Sequence, residues 1–269
     1  MKRQLLSGPY LIWMGLFTVI PLVIVLYYSF TDSLTGSFTL KNIASLGTYL
    51  PIFLRSVWLS LLSALICLVV GYPVAWTIAQ AKPSHQRFFY LLVMLPMCIS
   101  FLLRTLAWVS LLEDTGIINR LLGSIGIGPL KLMRNNGAVI LGMVYNYLPF
   151  MVLPLYNAMT KIDDNTLNAA RDLGANERQV NFRVIMPLTF PGIVSGVTMV
   201  FVPSLTTFVV SDLLGGRKIF LIGNIIEQEF STASNWNLGA GLSFVLMIFI
   251  LLSMAVLNHY DTLGEEDDG

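Results

Sequence analysis

The sequence has few of the residues that carry enzyme chemistry. Its 269 residues include two cysteines and two histidines, and they contain no P-loop, no HExxH zinc-protease helix and no GxSxG nucleophile turn. Cys67 and Cys98 both lie in apolar runs and form no CxxC pair, so we predict neither a disulfide nor a metal site. We therefore predict that the chain is not an enzyme, has no catalytic residue and binds no metal or cofactor itself.

Charge is also scarce. Only 12% of the residues are charged, and 16 Lys and Arg residues nearly balance 15 Asp and Glu residues, for a net charge of +1. No basic run indicates binding to nucleic acid. Hydrophobic residues make up 55% of the chain and the mean hydropathy is +0.74, which is far from the composition of a soluble domain. These values predict an integral membrane protein in contact with lipid.

Long apolar runs dominate what remains. A helix of about 20 residues crosses a hydrocarbon core of roughly 30 Å, and six runs reach that length. We predict an all-α integral membrane protein, a single domain over residues 1–269, whose six transmembrane helices lie at residues 9–30, 57–81, 88–111, 137–159, 191–213 and 238–258. The first run follows Lys2 and Arg3 without a signal-peptide cleavage site, so we expect it to be retained as a helix.

The orientation should follow the distribution of Lys and Arg, which favours the cytoplasmic side. The two sides of the predicted topology carry nearly equal numbers, but the very short turn with Lys82 and Arg87 favours a cytoplasmic N-terminus. An even number of helices then places the acidic C-terminus in the cytoplasm as well. Residues 160–190, between the fourth and fifth helices, face the cytoplasm in this topology.

Residues 160–190 are polar but repeat apolar residues at helical spacing, which predicts a helix-turn-helix. Gly174 stands where a left-handed C-terminal cap would end the first helix, and Asn176 with Gln179 forms a capping-box pattern for the second. Pro187 closes the second helix before the next run. Two helices of about 10 residues are marginal alone, so we expect a partner surface beneath them. An amphipathic loop resting on lipid headgroups is the alternative.

The first of these short helices has a predicted start and a predicted face. Asn165 or Thr166 is in position to cap it, because both side chains accept hydrogen bonds at helix N-termini. Its apolar side comprises Leu167, Ala170 and Leu173.

The loop resembles that of the permease subunits of binding-protein-dependent ABC importers, which follows the pattern E-A-A-x3-G-x9-I-x-L-P. Here the pattern reads Asn168-Ala169-Ala170, three residues, Gly174, nine residues, Val184, one residue and Met186-Pro187. The spacing matches throughout. Asn168 replaces Glu, Val184 replaces Ile and Met186 replaces Leu, and the carboxylate lost at Asn168 bears on the strength of coupling.

This resemblance implies that the loop is a coupling helix-turn-helix docked in a groove of a cytoplasmic ATPase subunit. It implies as partners two such ATPase subunits, which bind ATP and Mg²⁺, a second homologous permease subunit and an extracytoplasmic substrate-binding protein, all at a bacterial inner membrane. The residues implied in ATPase coupling are Asn168, Ala169, Ala170, Arg171, Asp172, Gly174 and Pro187. For Arg171 and Asp172 a solvated helix face is the alternative.

The resemblance covers residues 9–258 and narrows to the permeases of spermidine/putrescine importers. It rests on the strings GYPVAW at 71–76, NYLPFMVLPLY at 146–156, ARDLGA at 170–175, PLTFPGI at 187–193, VSDLLGG at 210–216 and LIGN at 221–224. It implies ATP-driven import of polyamines by alternating access. Related permeases carry amino acids, oxyanions or sugars, so these solutes stay open as alternatives.

A polycation that crosses a region of low dielectric needs carboxylates and aromatic faces as partners. Arg104 and Asp212 are the ionisable residues inside the predicted spans, and such residues are functional candidates. The predicted substrate-pathway residues are Asp212, Trp108, Tyr145, Tyr147 and Phe208. The alternatives are a structural pair between Asp212 and Arg104, or a place for Asp212 among the headgroups, with the aromatic residues in ordinary interfacial belts.

Two other classes of membrane protein stay open. A secondary transporter or channel would have membrane-embedded carboxylates or broken helices along an ion path, and the sequence offers Asp212 and prolines such as Pro96, Pro149 and Pro154. A membrane scaffold or membrane enzyme would bind no ATPase. Binding to an ATPase that Gly174→Asp abolishes would separate the importer from both.

Overall fold

The computed structural model describes residues 13–33, 35–216 and 218–266, without the side chains of Asp164 and of residues 258–266. The described part of the chain is all-helical apart from one isolated bridge between Thr31 and Phe38, which confirms the predicted all-α class. Its main helices are α1 (Gly15–Ser29), α2 (Leu46–Ala79), α3 (Pro83–Met94), α4 (Phe101–Leu112), α5 (Ile117–Ser124), α6 (Asn136–Met159), α7 (Asp164–Asp172), α8 (Glu177–Leu188), α9 (Phe190–Thr206), α10 (Val209–Gly215), α11 (Ile222–Ser231) and α12 (Trp236–Glu266).

The core lies where α2, α6 and α9 pack against one another. On α6 the side chains of Val139, Met143, Met151 and Leu155 are fully buried, and their spacing in multiples of four places them on one face of the helix. Around this core, α1 packs against α12, α12 against α9, and α10 against α4 and α6. The arrangement therefore fixes α4, α6 and α10 as neighbours.

Glycines let α6 and α9 approach closely. A Cβ atom at Gly192 would lie 2.6 Å from the Cβ of Ala158, and one at Gly196 would lie 2.7 Å from the sulfur of Met151. Small residues at such crossings bring helix backbones together, the usual packing device of membrane helices. The contact between α6 and α9 thus depends on these two positions.

Within the described residues, three helices are long and apolar enough to cross a membrane: α2, α6 and the Trp236–Leu257 part of α12. The number rises to five if each of two bent helix pairs counts as one span. The described part of the first predicted span is α1, and residues 9–12 lie outside the described residues. The segment predicted at 57–81 is the later part of α2, whose 34 residues extend about 50 Å and so exceed the hydrocarbon thickness.

The prediction of one continuous helix over 88–111 is wrong. A 3₁₀ turn at Leu95–Cys98 ends α3, the next residues are extended, and the pair of helices on either side bends by 87°. Pro96 lies at this break and permits it, because proline removes a backbone donor and its ring clashes with the carbonyl of the preceding turn.

The prediction of one continuous helix over 191–213 is also wrong. It ends at Thr206, Thr207 is extended with φ −66° and ψ 138°, and α10 begins at Val209. The carbonyl of Phe208 accepts a hydrogen bond from the amide of Asn224 at 3.0 Å and from the hydroxyl of Ser211 at 3.0 Å. Polar side chains thus satisfy a backbone group in the break, as an apolar environment requires.

Candidate functional site

The helix-turn-helix between α6 and α9 is built largely by its own polar groups. Its first helix is capped by Asp163, not by Asn165 or Thr166 as predicted. The Asp163 carboxylate accepts from the backbone N–H of Asn165 at 3.0 Å and from its side-chain amide at 3.2 Å. An aspartate suits this position because its charge also opposes the positive end of the helix dipole.

The left-handed turn predicted at Gly174 is confirmed. Gly174 has φ +86°, its N–H donates to the carbonyl of Arg171 at 2.9 Å, and the N–H of Ala175 donates to the carbonyl of Ala170 at 3.1 Å. This pair of bonds is a Schellman motif, which satisfies the last carbonyls of α7. No atom of the described chain lies within 4 Å of a Cβ placed at Gly174, so the requirement for glycine here is conformational.

The predicted capping box at the start of α8 is confirmed as well. The Asn176 side chain accepts from the backbone of Gln179, and the Gln179 side chain accepts from the backbone of Asn176, both at 2.9 Å. Farther along α8, Val180 and Ile185 are buried at 1% exposure each.

An ion pair joins the two halves of the loop across Gly174. Arg171 Nε donates to one oxygen of Glu177 at 3.0 Å and Arg171 Nη2 to the other at 3.3 Å. The hydrogen bonds and charge of Arg171 hold the pKa of the Glu177 carboxyl below its ordinary value. Arg171 Nη1 also donates to Asn168 at 3.4 Å. Asn168, which replaces the family's glutamate, thus contacts the arginine from within the loop.

The outward side of the loop is partly apolar. Leu173 is 90% exposed and Phe182 is 69% exposed, while Leu167 and Ala170 on the predicted apolar face of α7 are half-buried. The remaining positions of the predicted coupling set are exposed, namely Ala169, Asp172 and Pro187. Bare leucine and phenylalanine side chains beside charged ones are typical of a surface that meets another protein.

A cavity of about 830 Å³ opens beside the start of this loop. Its wall includes Asn157 at the C-terminal end of α6, the N-terminal end of α9, and Lys161 and Asp163 of the loop. The position links the loop to α6 and α9, two of the three helices that form the core. A movement of the loop would therefore change the shape of this cavity.

The structure brings two of the predicted pathway residues together. The rings of Trp108 on α4 and Tyr145 on α6 meet edge to face with centroids 5.4 Å apart, and Tyr145 is 37% exposed. Tyr147 is separate, because it is buried at 8% exposure and its hydroxyl donates to the carbonyl of Pro203 at 3.3 Å. Tyr147 therefore connects α6 to α9 close to the break between α9 and α10.

Phe208 and Asp212 lie on the other side of that break. Both are exposed, and the backbone N–H of Asp212 donates to the carbonyl of Phe208 within the first turn of α10. Phe208 also lines a cavity of about 510 Å³ together with Glu227 of α11 and residues of α12. The sequence did not mark Glu227 as a partner of Phe208, because their proximity arises from the break and the return of the chain through α11.

Arg104 does not pair with Asp212. The ion pair that the described residues form is that of Arg171 and Glu177, whereas Arg104 is buried at 8% exposure beside the ring of Phe101, 6.0 Å from its centroid. Trp108 and Tyr145 thus form one group of predicted pathway residues, and Phe208 and Asp212 beyond the break form a second. The buried Tyr147 belongs to neither group. Among the described residues, no group of three or more metal-ligating side chains is found.

Comparison with known proteins finds a family that this sequence matches. Residues 2–262 match the family described as binding-protein-dependent transport system inner membrane component. The chain is 39% identical over 255 residues to the spermidine/putrescine transport system permease protein PotB of Haemophilus influenzae, covering 91% of this chain and 88% of that protein. It is 38% identical over 253 residues to PotB of Escherichia coli, covering 91% and 92%.

Solved structures share the fold at low sequence identity. A bacterial ABC transporter involved in the import of the acidic polysaccharide alginate superposes with a TM-score of 0.81 at 18% identity, covering 96% of this chain and 93% of that chain. The MetNI methionine ABC transporter in an inward-facing conformation gives a TM-score of 0.59 at 19% identity, covering 81% and 98%.

Proposed function

Because this chain belongs to the family of inner membrane components of binding-protein-dependent transport systems, we propose that it is the transmembrane permease subunit of an ATP-driven polyamine importer. The observation that carries the substrate class is the identity, along nearly the whole chain, to permeases named for spermidine and putrescine transport. The chain is a transporter subunit and not an enzyme, so ATP and Mg²⁺ bind to separate subunits.

The loop of residues 160–190 is the element that receives the work of ATP hydrolysis. In this proposal it lies in the cytoplasm between the fourth and fifth of six spans, with both termini on the same side. Its internal ion pair, its capping box and its left-handed turn support a preformed docking element. The exposed Leu173 supplies the apolar contact for an ATPase subunit.

The assembly needs partners that this chain does not contain. We assign to it two ATPase subunits, a second permease subunit that completes the pathway, and an extracytoplasmic binding protein that delivers the solute. The cavity beside the loop is the inner end of the pathway in this proposal. A loop displaced by the ATPase subunits would open or close that end, which is alternating access driven from the cytoplasmic side.

The broken helices carry the substrate pathway. The edge-to-face pair of Trp108 and Tyr145 offers aromatic faces to an ammonium group. Phe208, Asp212 and Glu227 add an aromatic ring and two carboxylates near the break between α9 and α10, and carboxylates are the partners that a polycation requires.

Uptake into cells tests the substrate class. Cells that lack their own polyamine uptake would express this chain with its partner subunits, and accumulation of labelled spermidine would be measured with unlabelled putrescine, arginine or sulfate as competitor. Competition by putrescine alone is the expected result. Competition by arginine or sulfate would contradict selectivity for polyamines while leaving the importer assignment in place, and the absence of spermidine accumulation would contradict polyamine as the substrate.

A further inference from the structure

Arg104 presents a charge that the described chain does not neutralise. The side chain keeps 8% of its surface exposed, and its Nε and Nη1 atoms are buried without a hydrogen-bond partner among the described residues. Arginine stays protonated in proteins. The ring of Phe101 at 6.0 Å offers one weak cation–π contact, which offsets only a small part of the cost of a buried, unpaired guanidinium.

The neighbouring polar groups are incomplete in the same place. Of six buried side-chain atoms without a partner in the described residues, four are Nε and Nη1 of Arg104, Oδ1 of Asn146 and Oγ of Ser204. Asn146 donates to the hydroxyl of Thr105, the residue after Arg104, at 3.3 Å, and Ser204 follows Pro203, which accepts from Tyr147. The unfilled hydrogen-bonding capacity therefore lies on α4, α6 and α9, which the bonds from Asn146 to Thr105 and from Tyr147 to Pro203 link in sequence.

The chemistry of the missing group follows from the guanidinium. A carboxylate that accepts a hydrogen bond from the exposed part of the guanidinium would cancel its charge. Within the proposed function the transported solute is a polycation and is repelled by Arg104, so it is not the missing partner. Asp212 lies on the neighbouring α10 and forms no ion pair with Arg104.

The side of α4 on which a partner would approach carries aromatic side chains and is partly exposed. Trp108 lies one turn after Arg104 on α4 and is half-buried, and Tyr145 beside it is 37% exposed. Leu103 is 61% exposed. This part of α4 is therefore not covered by the described chain, and a helix of another subunit can reach the remaining exposed edge of Arg104.

We infer that Arg104 is an anchor point for a membrane-embedded carboxylate of the second permease subunit. The inference rests on the proposed function, which requires that subunit. The pair joins the two permeases at the level of the break between α9 and α10, and it removes the positive charge from the path of the polyamine. The partner residue is an aspartate or glutamate inside an apolar span, at the depth of the first turn of α4.

Association of the two permeases provides the test. The tagged wild-type chain would be co-expressed with the second permease and the ATPase subunits, and the amount of second permease that it retains in detergent would be measured against dilution. Arg104→Met leaves the partner carboxylate buried and unpaired, so its association should weaken by roughly 100-fold or more, which corresponds to about 3 kcal/mol. The matched control is Arg120→Met, because Arg120 is exposed and bonds to the carbonyl of Thr115 in its own loop.

Charge exchange identifies the partner residue. Arg104→Glu would be combined, one at a time, with replacement of each membrane-embedded Asp or Glu of the second permease by Arg. We expect one combination to restore association and uptake. This test holds even if Arg104→Met or Arg104→Glu alone fails to fold, because the combination differs from Arg104→Glu alone only in the restored ion pair. Restoration by no combination would overturn the inference and assign Arg104 a role within its own chain.

Two further outcomes are decisive. Retention by Arg104→Met equal to that of Arg120→Met would overturn the inference, because no buried carboxylate would have lost its partner. A wild-type chain that retains no second permease at all would instead contradict the proposed assembly, which is a different failure from loss of the effect of Arg104.

Discussion

Replacement of Gly174 by alanine should weaken ATPase binding without any steric clash in this chain. Gly174 has φ +86°, and a Cβ there meets nothing within 4 Å. A residue with a Cβ loses about 1–2 kcal/mol in the left-handed conformation, which reduces the fraction of loops in the docking conformation about 5- to 30-fold. The affinity of the ATPase subunit for the membrane-inserted chain should fall by the same factor.

The assay is titration of the purified ATPase subunit onto the chain in nanodiscs. Gly126→Ala is the matched control, because Gly126 has φ +82° and a Cβ there also meets nothing within 4 Å, but it lies in the loop after α5. Gly126→Ala should leave ATPase binding unchanged. Gly174→Asn should lose less affinity than Gly174→Ala, since asparagine tolerates the left-handed region better.

Gly174→Asp completes the series. It should leave the protein inserted in the membrane but abolish transport, because it adds a charge where a partner surface approaches the turn. Wild-type affinity in Gly174→Ala, or normal uptake by inserted Gly174→Asp, would refute the assignment of this turn to the ATPase interface.

Three further predictions concern the loop and the core. Leu173→Ser should leave the thermal stability of the isolated chain unchanged, because Leu173 is 90% exposed. It should weaken ATPase binding about 10- to 150-fold, which is the effect of losing the burial of one leucine. Binding equal to that of the wild type would place Leu173 outside the interface. The pKa of Glu177 is lowered by Arg171, so the ion pair is fully formed above the ordinary value of 4.5 and is lost as the pH falls through the lowered pKa. Protease cleavage of the loop should rise over that acidic range in wild type, and Glu177→Gln should be cleaved readily without that rise. Gly192→Ala should destabilise the chain by about 1–3 kcal/mol through overpacking and so lower its melting temperature. Gly123→Ala is the control, because a Cβ there meets open space and should not change the melting temperature. Equal melting temperatures for the two variants would contradict the close crossing of α6 and α9.

The local features of the loop could be predicted from the sequence because their causes are local. The positive φ of Gly174 and the reciprocal bonds of Asn176 and Gln179 each depend on residues within a few positions of one another. The helix start was misplaced because Asp163, Asn165 and Thr166 are all capable caps.

The breaks in the helices could not be predicted by counting apolar residues. Hydropathy is the same on both sides of Thr207, and the break depends on hydrogen bonds from Asn224 and Ser211 that arise only in the folded chain. At Pro96 the proline was visible, but prolines inside α2 and α6 interrupt neither helix. Proline therefore marks a site where a break is allowed, and tertiary contacts decide whether it forms.

The burial of Arg104 and the cavity shared by Phe208 and Glu227 could not be predicted from the sequence for the same reason. Each depends on which helices become neighbours, and one sequence without pairing information does not specify this. The sequence marked Arg104 as a functional candidate through its charge in an apolar run. The structure adds that the charge is buried and lacks a hydrogen-bonded partner in the described chain.

The most direct test of ATP-driven polyamine import is uptake by reconstituted vesicles. The chain, a second permease, two ATPase subunits and the binding protein would be incorporated with ATP on the side of the 160–190 loop, and entry of labelled spermidine would be followed with and without ATP. We predict uptake that requires ATP and the binding protein and that disappears in the inserted Gly174→Asp variant. Equal uptake in the absence of ATP would contradict the account and identify a secondary transporter or channel instead.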